Sequence, residues 1–282
     1  MKYLSNAKIN LNLMITGIDD KGYHLLYSVV APIRLYDEIE IDLINEDKVI
    51  LTCNDNKIPV DEKNIIIKCI KELKKHKDIK PGFRIKLLKN IPDEAGLGGG
   101  SSNGATVLKA INEMLNLKIS KEELARIGGN VGADIPFFIY NEVSLMEGVG
   151  DKLTKIEKNE FDPFILLVKP NVGINTKQAF ELYDKMIKTK EYTPLILHKL
   201  IEKNETDSIN EYVKNDLQRV ANIFVPEIKK ITKLLVDFGA YASCMSGSGS
   251  CCFGLFEEEK KVNEAYEKLK EKYDFVKITK IL

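Results

Sequence analysis

The chain has 282 residues, 44% of them hydrophobic, enough apolar surface for two modest cores. Its 42 basic and 42 acidic side chains cancel, so no summed field draws it to nucleic acid or to anionic membranes, and an anionic ligand must be held locally. Cys53, Cys69, Cys244, Cys251 and Cys252 are an odd number without CxxC spacing, which argues against a disulfide framework or a zinc site and for reduced core thiols. No apolar run approaches the ~18 residues of a membrane span, and Met1 to Ile9 lacks the apolar stretch of a secretory signal, so a soluble, cytoplasmic protein is expected.

Along the chain, Ala7 to Ile15 alternates Ile9, Leu11 and Leu13 with Lys8, Asn10 and Asn12, the pattern of a half-buried strand that points Lys8 and Asn10 the same way. Strand-rich segments near 25–35, 37–44 and 48–53 follow, and Asn64 to His76 has helical spacing. Gly82 to Lys89 reads as a strand, Pro92 to Gly100 as a glycine-rich loop and Ser101 to Leu115 as a helix. Ser120, with Glu123 three residues on, predicts a capped helix over 121–128 that stops at Gly128-Gly129.

Pro163 to Lys169 is an apolar run suited to a buried strand. Helical patterns follow near 176–188, 194–203 and 216–238, then strands at 240–246 and 250–256, a charged helix at 258–272 and a strand at 274–281. The expectation is an α+β protein of two domains, 1–159 and 160–282, the second a ferredoxin-like split βαβ, with ligands meeting between the two. His76 and His198 lie on charged helical stretches and are expected to be exposed. Asp237-Phe238-Gly239 spells a protein-kinase metal motif, but with no H-R-D upstream it reads as a helix end.

Gly96-Leu97-Gly98-Gly99-Gly100-Ser101-Ser102, between a strand and a helix, can aim successive N–H groups at one polyphosphate, with Ser101 and Ser102 as N-cap and phosphate-facing hydroxyls. It lacks the Gly-Lys-Ser/Thr of a P-loop and the third glycine of a dinucleotide fingerprint. Ser246-Gly247-Ser248-Gly249-Ser250 is a second glycine loop, which taken alone reads equally well as a hairpin turn.

These pieces in order resemble the GHMP kinases: an N-terminal Lys strand, the Pro92-Asp93-Glu94-Ala95-Gly96-Leu97-Gly98-Gly99-Gly100-Ser101-Ser102 loop and Met245 to Ser250. A-K-I-N-L-N-L at 7–13, G-Y-H-L at 22–25, G-G-G-S-S-N at 98–103, G-A-D-I-P-F-F at 132–138 and E-G-V-G at 147–150 resemble the branch acting on 4-diphosphocytidyl-2-C-methyl-D-erythritol in non-mevalonate isoprenoid synthesis. The resemblance implies a GHMP-type fold and transfer of the ATP γ-phosphate to the 2-hydroxyl of that small molecule. It also implies Asp134 as the carboxylate taking the hydroxyl proton, Lys8 as the charge beside it, and Pro92 to Ser102 around ATP. Asn10, Tyr23, His24 and Phe180 would line the cytidine and methylerythritol pocket, Tyr23 and Phe180 stacking on the cytosine ring and His24 bonding its edge, with Tyr183 a rival to Phe180. ATP chemistry implies Mg²⁺, whose ligands the motifs do not name.

Taken alone, Lys8 is a surface lysine on a strand and Asp134 a helix cap; the ordered motifs favour the catalytic pair. Asp93-Glu94-Ala95 departs from the smaller residues usual in the family, and two carboxylates there must face solvent or the metal. Another GHMP enzyme, of homoserine or mevalonate type, is the alternative, disfavoured by G-Y-H so soon after A-K-I-N-L-N-L. A nucleic-acid or scaffolding module is disfavoured by zero net charge. No nucleic-acid or membrane partner is expected, and the chain is expected to be a monomer or weak homodimer.

Overall fold

A computed structural model describes residues 1–158, 160–186 and 195–282. The order is β1 (Lys2–Asn10), β2 (Met14–Ile18), β3 (His24–Ile44), β4 (Val49–Cys53), α1 (Ile65–His76), β5 (Gly82–Leu88), α2 (Gly99–Met114), α3 (Lys121–Gly129), α4 (Ile135–Tyr140), β6 (Ser144–Gly148) and β7 (Lys152–Lys155). After these come β8 (Phe164–Lys169), α5 (Thr176–Lys185), α6 (Leu197–Glu202), a 3₁₀ turn at Thr206–Glu211, α7 (Gln218–Phe224), α8 (Glu227–Asp237), β9 (Ala242–Met245), β10 (Cys252–Phe256), α9 (Glu259–Lys270) and β11 (Phe275–Thr279). The chain divides into two compact units, each assembled from three segments: Met1–Ala7, Leu35–Pro92 and Gly98–Glu142 form one, and Lys8–Arg34, Asp93–Leu97 and Val143–Leu282 the other. The boundary expected near 160 falls between β7 and β8, inside the second unit.

In the first unit, residues 38–44 of β3 pair antiparallel with β5, and β4 pairs parallel with β5. Ile39, Ile41, Phe83, Ile85 and Leu87 are buried here, the alternation of strands with one wet face. Helix α1 starts at Asn64, whose side chain accepts from the Ile66 amide, and packs on α2 where Gly104 faces Cys69. A Cβ at Gly104 would come within 2.8 Å of that sulfur, so the close helix contact requires glycine. Helix α3 begins as expected at Ser120, whose hydroxyl accepts from the Glu123 amide.

In the second unit β8, β9, β10 and β11 form an antiparallel sheet in the order β11-β8-β10-β9, the ferredoxin-like arrangement expected from β-α…β-β-α-β. Helices α8 and α9 cover it, burying Ile228, Ile231, Leu235, Val262, Ala265 and Leu269 in one core with Leu166, Val168 and Phe256. The other pairings of this unit join β2 and β6 to residues 24–30 of β3, with β7 on the far edge of β6.

Several expectations are corrected. The segments at 25–35 and 37–44 are one strand. Pro32 within it lacks an N–H, but its carbonyl accepts from the Leu282 amide, and Ile33 bridges Ile281. The N-terminal strand is not half-buried: Lys8, Asn10 and Asn12 are 5%, 4% and 3% exposed, so its polar face is covered too. The helix expected over 216–238 is two, because Pro226 has no amide to continue α7. His76 and His198 are half-buried, not exposed: His76 lies beside Glu72, and His198 bonds the Tyr27 hydroxyl at 2.7 Å. Residues 187–188 and 194, the expected ends of two helices, lie outside the described residues, as does 159. The Asp-Phe-Gly run does end a helix, with Gly239 at φ 99° just beyond α8. All five cysteines are free, four of them buried, and burial pushes the thiols of Cys69, Cys244 and Cys251 up to about 12.

Candidate active site

The second unit gathers three distant motifs on one chain of hydrogen bonds. Because residues two apart on a strand share a face, Lys8 Nζ reaches Asn10 Oδ1 at 2.5 Å. The Asn10 amide donates to Ser246 Oγ at 3.1 Å, and that hydroxyl donates to the Gly96 carbonyl at 2.9 Å. The Lys8 amide donates to the Leu97 carbonyl at 3.0 Å. The loop between β9 and β10 is therefore more than a hairpin turn: it clasps the start of the phosphate loop. The Cys251 amide donates to Ala95 O at 3.1 Å, and Asn215 Nδ2 donates to the carbonyls of both Met245 and Gly247. Gly96, at φ 72°, has the Ser246 carbonyl where a Cβ would stand, 2.0 Å away, so this approach admits no side chain.

Lys8 is thus not a surface lysine; it is 5% exposed, in surroundings where a charge acts more strongly than in water. Asn10 spends its side-chain amide on the neighbouring strand β3, donating from Nδ2 to Ser28 Oγ at 2.8 Å while Ser28 donates to Asn12 O. Asp93 and Glu94 are exposed, and Glu94 takes φ 47°, a left-handed conformation that glycine adopts more readily than glutamate. Because both residues are exposed, water screens their repulsion of a phosphate.

In the first unit the phosphate loop runs straight into α2. Gly99 and Gly100 are already helical and Gly98, at φ 70°, is the cap, so neither Ser101 nor Ser102 is the N-cap that was expected. Ser102 is 1% exposed and accepts from Ser5 Oγ at 2.8 Å. The first amides of a helix have no intrahelical carbonyl to bond, and in α2 the first two belong to Gly99 and Gly100. Asp134 stands at the N-cap position of α4 without a side-chain capping bond, so the cap reading does not account for its carboxylate.

Asp37 was missed by the sequence reading. Fully buried, it accepts from Lys89 Nζ at 2.5 Å, from the Asn90 and Ile91 amides at 2.7 and 2.8 Å and from Asn103 Nδ2 at 2.9 Å. It therefore ties the approach to Pro92 to the N-terminal half of α2. An acidic residue inside a strand otherwise alternating apolar and polar was the only signal.

Around the predicted base pocket, in the second unit, Tyr23 is 62% exposed, whereas the His24 ring lies 4.7 Å from Phe180 and 6.2 Å from Tyr183. The structure brings His24 together with both candidate aromatics. Among the described residues no three His, Cys, Asp or Glu side chains converge to hold a metal, and no helix is long and apolar enough to cross a membrane.

Residues 64–142 match the GHMP kinases N terminal domain and residues 197–274 the GHMP kinases C terminal domain. The 4-diphosphocytidyl-2-C-methyl-D-erythritol kinase of Clostridium botulinum (strain Eklund 17B / Type B) is 39% identical over 284 residues, covering 100% of each chain. That of Clostridium tetani is 37% identical over 283 residues, again covering 100% of each. A crystal structure of 4-(cytidine 5'-diphospho)-2C-methyl-D-erythritol kinase superposes with TM-score 0.83 at 25% identity, covering 100% of this chain and 99% of that one. The Methanococcus jannaschii mevalonate kinase, at TM-score 0.76 and 20% identity over 100% and 98% of the chains, shares the fold. Alike from end to end to kinases of this name, the chain belongs to the 4-diphosphocytidyl-2-C-methyl-D-erythritol kinase family of the GHMP kinases.

Proposed function

We propose that the chain transfers the γ-phosphate of ATP to the 2-hydroxyl of 4-diphosphocytidyl-2-C-methyl-D-erythritol, giving the 2-phosphate and ADP, in the non-mevalonate route to isopentenyl diphosphate. The observation that carries this reading is the buried path from Lys8 through Asn10 and Ser246 to Gly96, which ties all three GHMP motifs together in a chain related over its full length to kinases of that name.

A tertiary alcohol is a poor nucleophile, so its proton must leave as the oxygen attacks. Asp134 is the carboxylate assigned to accept it, a contribution of about 10²–10⁴-fold. Lys8, a compact ammonium shielded from water, would offset charge on the attacking oxygen and the γ-phosphate. The glycine loop and the first turn of α2 would bind the remaining phosphate oxygens through backbone amides. Mg²⁺ would travel with the triphosphate and offset its charge. Asn10, Tyr23, His24 and Phe180 would receive the cytidine and methylerythritol groups. The protein would act in the cytoplasm as a monomer or weak homodimer, with no nucleic-acid or membrane partner.

The test is ADP release with Mg²⁺ and ATP, offering 4-diphosphocytidyl-methylerythritol, homoserine and mevalonate in parallel. Turnover with the first alone is expected. Turnover with only one of the others would overturn the substrate and leave the phosphate chemistry.

A further inference from the structure

The geometry points to Asp184 as a positioning residue that fixes which ring nitrogen of His24 meets the base and so sets the preference for cytosine over uracil. This inference rests on the proposed reading of His24 as the contact to the base edge. Helix α5 carries Phe180, Tyr183 and Asp184 at spacings of three and four, which places them on one face. The His24 ring is seated in the notch they form: tilted 31° against Phe180, edge-on to Tyr183, with Nε2 at 2.8 Å from Asp184 Oδ1. The His24 side chain is 13% exposed and that of Asp184 44%.

A carboxylate oxygen only accepts hydrogen bonds, so this contact places a proton on Nε2, the tautomer in which Nδ1 is an acceptor. Cytosine carries an amino group at C4, a donor that suits such an acceptor. Uracil carries a carbonyl oxygen at the same place, which would meet it lone pair to lone pair. Stacking on Phe180 holds the ring plane but is indifferent to which nitrogen is protonated, and Tyr183 meets the ring at its edge. The selection therefore falls to Asp184. Without it, His24 is free to move its proton to Nδ1 or to turn over, and a donor presented to the base would suit uracil.

The experiment is steady-state kinetics of the full-length protein and its Asp184→Ala and Asp184→Asn variants, with the cytidine substrate and its uridine counterpart. For Asp184→Ala, KM for the cytidine substrate should rise about tenfold, the size of one hydrogen bond to a charged group. The cytidine-over-uridine preference should fall by about as much, with kcat and the KM for ATP within about twofold of wild type. Asp184→Asn should recover most of both, because its amide oxygen still accepts from Nε2–H. An unchanged KM and preference in Asp184→Ala would overturn the role. So would an Asp184→Asn variant as impaired as the alanine, or a parallel loss of kcat and ATP affinity, which would mark a lesion of α5. Wild-type silence toward the cytidine substrate would instead overturn the proposed function, and this inference with it.

Discussion

Gly96 to Ser102 and Ser246 to Ser250 are both runs of glycine and serine, yet the first becomes the opening turn of α2 while the second turns between β9 and β10. Within the first run, glycine serves two opposite needs. At Gly96 the left-handed backbone and the Ser246 carbonyl leave no room for a side chain, so the residue is a matter of fit. At Gly100 the backbone is helical and the nearest atom to a Cβ would be Ile65 Cγ2 at 3.8 Å, so an alanine fits. The lesson is that glycine-rich composition marks a phosphate loop only in outline. Which glycines are indispensable depends on what lies across from them, in this case another loop 150 residues further along the chain.

The sharpest way to separate chemistry from this clasp is Asp134→Ala, outside both loops. It should lower kcat by about 10²–10⁴-fold while ATP binding, followed by titration calorimetry, stays close to wild type. A near-normal kcat would remove Asp134 as the base.

Gly96→Ala tests the clasp itself. Left-handed strain and the clash with the Ser246 carbonyl should cost about 2–4 kcal/mol in urea unfolding. A loss below about 0.5 kcal/mol would mean that the two loops are not locked together.

Ser246→Ala removes one acceptor and one donor from the same junction without adding bulk. It should cost about 1–3 kcal/mol, and the KM for ATP should rise more than that for the alcohol. Equal effects on the two substrates would place Ser246 in general packing rather than in the phosphate loop's support.

Gly100→Ala should have the smallest effect and the opposite sign. A helical site with space for a methyl should gain about 0.5–1 kcal/mol, read as a rise in the urea midpoint. A destabilised Gly100→Ala would erase the contrast with Gly96.

Much of this was legible in the residues. The apolar run at 164–169, the capping pair Ser120 and Glu123 and the strand-helix alternation after 240 each depend on near neighbours, so each appeared where expected. The spacing of Lys8 and Asn10 placed them on one face before any coordinates did. Other features were hidden because they depend on distant partners. Nothing local to Asp37 says that Lys89, Asn90, Ile91 and Asn103 will surround it, and nothing in His24 names Asp184, 160 residues away. Burial of Lys8 was likewise misread, since alternation shows which side chains share a face but not whether a second layer covers it.

By itself, then, the sequence determined many of the elements, the ferredoxin-like order of the C-terminal half and the motifs that place the chain among the GHMP kinases. These rest on periodicity, caps and turn residues acting over a few positions. Tertiary structure alone decided that the third loop grips Gly96, that a buried carboxylate steadies the approach to Pro92, and that α5 holds His24 by Asp184. The physical reason is that hydrogen bonds, exclusion of a Cβ and desolvation of a charge are set by proximity in space, which the chain reaches only once its cores have closed.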